Sequence, residues 1–150
     1  MPCTAGSLLR EASIKLACAG IESASLDAQI LLAHVLKTTR EYVLIHNNLD
    51  VEQNKAALYM EAVQRRAQGE AVAYITNEKY FFNNKFFITS DVLVPRPETE
   101  LLVEHALNFL IAKIKNKTAG ENNKIYYHDA CTGSGCVGIS IKAEVPELES

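Results

Sequence analysis

The chain has 150 residues, 18 acidic and 15 basic side chains, a net charge of −3, and 48% hydrophobic residues. That length admits one ordinary domain or two small ones with enough apolar material for a core. The acidic balance argues against a broad nucleic-acid footprint, and no apolar run approaches the length of a membrane-spanning helix. No signal peptide is visible at the N-terminus. Cys3, Cys18, Cys131 and Cys136 form no C-x-x-C pair, and His34, His46, His105 and His128 are scattered. No metal spacing results, and the expectation is reduced thiols in a cytoplasmic protein.

Residues 4 to about 75 read as helices only. Thr4 or Ser7 caps a first helix carrying Leu8, Leu9, Ala12, Leu16 and Ala17, and Gly20 stops it. Ser25 caps a second, Leu26 to Lys37, with Leu26, Ile30, Ala33 and Leu36 as its apolar stripe. Thr38 and Glu41 have the capping-box spacing and open a short helix through Tyr42 to Ile45. Asp50 and Gln53 repeat the arrangement before the longest helix, through Ala57, Leu58, Ala62 and Val63. Arg65 and Arg66 suit its negative end, and Gly69 stops it. Four short amphipathic helices make a small bundle, expected over residues 1–75.

The pattern then changes. Tyr80-Phe81-Phe82, Asn83-Asn84 and Lys85-Phe86-Phe87-Ile88 read as a hairpin turning on the asparagine pair. It is expected to act as a linker over residues 76–92. A further extended run, Val92-Leu93-Val94, leads into Pro95-Arg96-Pro97-Glu98-Thr99-Glu100. The two prolines hold Arg96 extended, and Pro97, Glu98 and Glu100 suit the first turn of a helix. That helix runs through Leu102, Val103, Ala106, Phe109, Leu110 and Ile114, and the Lys115 to Lys124 stretch reads as a loop.

Ile125-Tyr126-Tyr127 suits a short buried strand, and Val137 to Ala143 suits a helix that Pro146 ends. Between them Gly133, Gly135 and Gly138 have the G-x-G-x-x-G spacing. The first glycine permits the strand-to-helix reversal, the second lets a ligand approach the backbone, and the third brings helix and strand together. Free N–H groups at the helix start favour polar or anionic ligand groups. Asp129 reads either as an acid facing a cofactor or as a cap for the turn's own N–H groups.

In this order the segments resemble the release factor glutamine methyltransferase family. Arg66-Ala67-Gln68-Gly69-Glu70 through Ile75 is similar to the end of the family's helical domain. Val94-Pro95-Arg96-Pro97-Glu98-Thr99-Glu100 is similar to its proline signature, and Asp129-Ala130-Cys131-Thr132-Gly133-Ser134-Gly135-Cys136 to its methyl-donor loop. The resemblance implies an α+β chain: a small helical bundle, a β-hairpin linker, and from residue 93 the start of a Rossmann-like α/β methyltransferase domain. It implies S-adenosylmethionine as cofactor, held by Asp129, Cys131, Thr132, Gly133, Ser134 and Gly135, with Arg96, Pro97, Glu98 and Thr99 at the pocket edge. It implies methylation of the glutamine in the Gly-Gly-Gln loop of peptide chain release factors, which the bundle would help dock; neither nucleic acid nor membrane is an implied partner.

Cys131 stands where the family usually has glycine, and a positive φ there would cost about 1 kcal/mol. The family's Asn-Pro-Pro-Tyr motif, which grips the target amide, does not occur in the sequence. The 150 residues are therefore expected to be the N-terminal part of such an enzyme and inactive alone, with no catalytic residue assignable. Two alternatives stand beside this reading: a non-catalytic release-factor-binding fragment, and an NAD- or FAD-binding domain using Gly133, Gly135 and Gly138.

Overall fold

The computed structural model describes residues 3–115 and 125–146. The chain divides into two compact units, Met1–Thr76 and Asn77–Ser150. Helices and one two-stranded antiparallel sheet make up the regular structure of the described residues, an α+β composition.

The described residues of the first unit form α1 (Ala5–Cys18), α2 (Ala24–Leu36), α3 (Arg40–Ile45), α4 (Gln53–Ala67) and the short α5 (Val72–Thr76). Thr4 caps α1: its Oγ1 accepts from the Ser7 N–H at 3.3 Å, while Ser7 Oγ accepts from the Thr4 N–H at 3.0 Å. Thr39, not Thr38, caps α3, accepting from the Tyr42 N–H at 3.2 Å. Asp50 caps nothing. It pairs with Thr4 in an isolated bridge, and α4 starts from Glu52 without a side-chain cap. Gly20 and Gly69, at φ 79° and 98°, stop α1 and α4 as the sequence indicates.

Two apolar stripes sit elsewhere than expected. In α2, Leu26 is exposed, and Ala24, Asp27, Ala28, Leu31, Leu32 and Ala33 face inward. In α4, Leu58 is exposed and Tyr59 is fully buried. α2 is apolar nearly all round, so periodicity alone does not choose its inner face; contacts with α1, α3, α4 and α5 do. Tyr59 enters the core because its hydroxyl donates to the Ala28 carbonyl at 3.1 Å. Burial, with the nearby Glu11 charge adding to it, pushes that phenol's pKa well above its ordinary value.

A charged group is also part of this core. Asp27 Oδ2 accepts from Arg66 Nε at 2.7 Å and from the Ser23 hydroxyl at 2.9 Å, and Arg66 Nη1 donates to the Glu70 carbonyl at 3.2 Å. Arg65 clasps the Glu70 carboxylate with Nε and Nη2. The arginine pair that suits a helix end thus ties α4 to α2 and to the turn after Gly69.

The second unit starts with β1 (Glu78–Phe81) and β2 (Asn84–Phe87), in register Phe81↔Asn84 to Glu78↔Phe87. The hairpin turns on Phe82-Asn83, one residue earlier than the asparagine pair predicts, and Phe82 takes the positive φ of 53°. The shift follows from the pleat: this register buries Phe81 and Phe86 together, edge to face at 6.2 Å, and leaves Tyr80 and Phe87 outside. Val92-Leu93-Val94 is irregular, not a strand. A 3₁₀ turn, Pro97–Thr99, leads into α6 (Glu100–Lys115), which packs on α7 (Cys136–Glu144) with Val103, Leu110, Cys136 and Ile141 buried. Phe109 and Leu102 of the expected stripe are exposed. The predicted loop after Lys115 falls on residues 116–124, outside the described residues.

Candidate cofactor turn

The segment before the glycines is extended, but Tyr126 forms only a bridge and is exposed, so the expected buried strand is not seen. A strand is buried on both faces only when neighbours and helices cover it; the described ladder in this unit is the hairpin. Tyr127 instead anchors the segment to α7, its hydroxyl donating to the Gly138 carbonyl at 2.6 Å.

The reversal itself is tight. Cys131, Gly133 and Gly135 have φ of 62°, 55° and 73°. The Gly135 N–H donates to the Thr132 carbonyl at 2.8 Å, and Gly135 is the N-cap residue of α7, with no side chain to bond its first turn. Cys131 therefore does occupy the left-handed region that glycine prefers, at a cost of about 1–2 kcal/mol.

Asp129 is the hub of the turn. Its Oδ2 accepts from the Thr132 hydroxyl at 2.9 Å and from the Gly138 N–H at 3.1 Å. This is the capping role that the sequence leaves as one of two readings. The geometry also gives Gly138 its reason: a Cβ there would meet Asp129 Oδ2 at 3.2 Å and the Tyr127 hydroxyl at 3.6 Å. The third glycine of the motif makes room for the carboxylate.

Beside the turn lies an open cleft of about 530 Å³ lined by Tyr127, His128, Asp129, Thr132, Gly135 and Gly138, with Ile139, Lys142 and Ala143 of α7. Asp129, Thr132 and Gly135 thus meet at one cleft. Cys131 and Gly133 are exposed at the turn, and Ser134 is half-buried there. Arg96, Pro97 and Glu98 are exposed at the start of α6, Thr99 is half-buried, and none of the four lines this cleft. The anchoring role of Tyr127 has no signal in the sequence, where a tyrosine in an apolar run looks like core. No periodicity reveals that its hydroxyl holds the next helix.

Comparison with known proteins bears on both units. Residues 7–76 match the family model of the PrmC N-terminal domain. A release factor glutamine methyltransferase of Leptospira interrogans is 42% identical over 122 residues, covering 81% of this chain and 40% of that protein. By sequence the chain is similar to the first part of release factor glutamine methyltransferases. The same-named enzyme of Nitratidesulfovibrio vulgaris is 37% identical over 145 residues, 97% of this chain and 46% of that protein. A bifunctional methyltransferase of Rickettsia conorii is 33% identical over 163 residues, 97% of this chain and 31% of its own length. The chain spans less than half the length of these family members. Among the described residues, no helix is long and apolar enough to cross a membrane.

Proposed function

We propose that residues 129–138 form the methyl-donor turn of a release factor glutamine methyltransferase, opening its Rossmann-like domain, with S-adenosylmethionine as cofactor. The observation that carries this is the Asp129 carboxylate tying Thr132 and Gly138 together in a glycine turn beside a cleft. The fit is physical. A cleft of about 530 Å³ lies within the range of small-molecule sites. Three alternate positions, 131, 133 and 135, have positive φ, and alternation of left-handed with other backbone is the kind of turn that gathers amides for anionic groups. With Oδ2 engaged in the turn, Asp129 Oδ1 would take the donor's ammonium, and Cys131 to Gly135 would line its methionine end through their backbone.

Bound there, S-adenosylmethionine supplies an electrophilic methyl group. The acceptor in this reading is the side-chain amide of the glutamine in the Gly-Gly-Gln loop of peptide chain release factors. An amide nitrogen is a poor nucleophile, its lone pair being delocalised into the carbonyl. Catalysis by the whole enzyme then rests on orienting that NH₂ group. The residue 7–76 bundle would dock the release factor.

Calorimetry of the chain with S-adenosylmethionine and with NAD tests the cofactor. Binding of the first and not the second is expected. No binding of S-adenosylmethionine, or equal binding of NAD, would overturn the assignment. Retention of release factor on the immobilised chain tests the docking role separately, and a chain that retains none would remove it.

A further inference from the structure

The hairpin tip is strained, and the strain has a visible holder. Phe82 sits at φ 53°, a conformation that bulky residues rarely adopt. The positive φ falls on the first of two loop residues, where a two-residue hairpin favours glycine. Such an outlier persists only where its surroundings over-determine it, and at functional sites it marks a constraint. Here the constraint is Glu100: its Oε1 accepts from the Phe82 N–H at 3.0 Å, in a half-buried setting. The next two residues reach the helix that follows the glycine turn. Asn83 Nδ2 donates to Glu144 Oε1 at 2.9 Å, and Asn84 Nδ2 donates to the fully buried Ser140 Oγ at 3.4 Å. Phe81 beneath them is buried. Three successive residues of one tip therefore bond to α6 and to α7.

We infer that Glu100 is a positioning residue for the cofactor turn. Its carboxylate fixes the hairpin tip on α6, and the tip, through Asn83 and Asn84, fixes α7. α7 in turn carries Gly138, whose N–H and carbonyl receive Asp129 and Tyr127. The path from Glu100 to the cleft is thus three hydrogen bonds joined by short stretches of chain: Glu100 to Phe82 of the tip, Asn84 of the tip to Ser140, and, two residues back along α7, Gly138 to Asp129. The acidic residue closing the proline signature works through the hairpin and need not touch donor or acceptor. Phe82 holds its strained conformation because a carboxylate waits for its N–H.

This inference rests on the donor-turn reading only for its functional consequence. The test is hydrogen exchange, by mass spectrometry on the full 150-residue chain, at the hairpin tip and along α7, paired with S-adenosylmethionine affinity by calorimetry. Glu100→Ala is expected to raise exchange at Phe82 and at the amides of residues 136–141 about tenfold, as loss of a hydrogen bond to a charged acceptor implies. It should weaken donor binding several-fold while leaving exchange in α1, α2 and α4 unchanged. Glu100→Gln keeps an acceptor and should restore most of both. Asn84→Ala should loosen α7 with Phe82 still protected. Unchanged α7 exchange in Glu100→Ala would overturn the inference, as would loosening with unaltered donor affinity or failure of Gln to rescue. A native chain that binds no S-adenosylmethionine would fail the donor-turn reading instead, and the exchange pattern would still decide the brace.

Discussion

Removing the Asp27 carboxylate is the sharpest test of how the helical unit is held. Asp27 and Arg66 have side chains only 8% and 18% exposed, and their Nε–Oδ2 distance is 2.7 Å. Asp27→Ala deletes that bond and the one from Ser23, and it leaves a guanidinium with little water. Breaking one partner of a buried pair costs roughly 3–5 kcal/mol. Arg66 is the better exposed partner and keeps the Glu70 carbonyl, so the low end applies, about 3 kcal/mol. Arg66→Ala, which strands the carboxylate, should cost about as much. The double variant should cost less than the sum by about 1–3 kcal/mol, since each single change removes the same bond. Asp27→Leu with Arg66→Met, which refills the space with apolar atoms, should come within about 1 kcal/mol of the native chain. Urea-dependent hydrogen exchange of α2 and α4 peptides reads these values for this unit within the intact chain. Single costs below about 0.5 kcal/mol, or singles that simply add, would refute the claim that the pair is a coupled core element.

Cys131→Gly should relieve the left-handed strain at φ 62° and, after glycine's larger unfolded-state entropy, stabilise the second unit by up to about 1 kcal/mol. Thermal melts read the stability, and calorimetry should show equal or tighter donor binding; a lower melting temperature would contradict the strain argument. The Arg65 guanidinium holds the Glu70 carboxyl below its ordinary pKa, so Glu70 binds fewer protons folded than unfolded. Its contribution is complete above the unfolded pKa and is lost as pH falls through the folded value. Glu70→Gln should therefore show a shallower loss of stability than the native chain between about pH 5 and pH 3, measured by parallel urea titrations. Burial raises the Tyr59 phenol, so the folded state favours its protonated form, and that preference disappears only as strong alkali is approached. Absorbance at tyrosinate wavelengths should show one late step that coincides with unfolding and is absent in Tyr59→Phe; a step well before unfolding would place Tyr59 in contact with water.

Much of the organisation was legible in residue order alone. The cap of α1, the glycine stops of α1 and α4, the proline-led start of α6 and the end of α7 before Pro146 depend on near neighbours in the chain, which a sequence displays directly. The glycine turn was legible for the same reason: its conformational demands are local, and even the strain at Cys131 follows from position in the motif. The resemblance to release factor glutamine methyltransferases is likewise carried by the order of the segments.

What tertiary structure decided are the choices among locally equal options. Which face of α2 turns inward depends on the four helices it packs against, because the helix is apolar on nearly every side. The hairpin turned at Phe82-Asn83 because burying Phe81 with Phe86, and giving the Phe82 N–H to Glu100, outweighs a poor turn residue. Asp27 with Arg66 lies 39 positions apart, and Tyr127 reaches Gly138 across the turn. Such pairs have no spacing to read. They form because a buried charge or hydroxyl must find a partner in space, and the chain's path alone determines which partner is near.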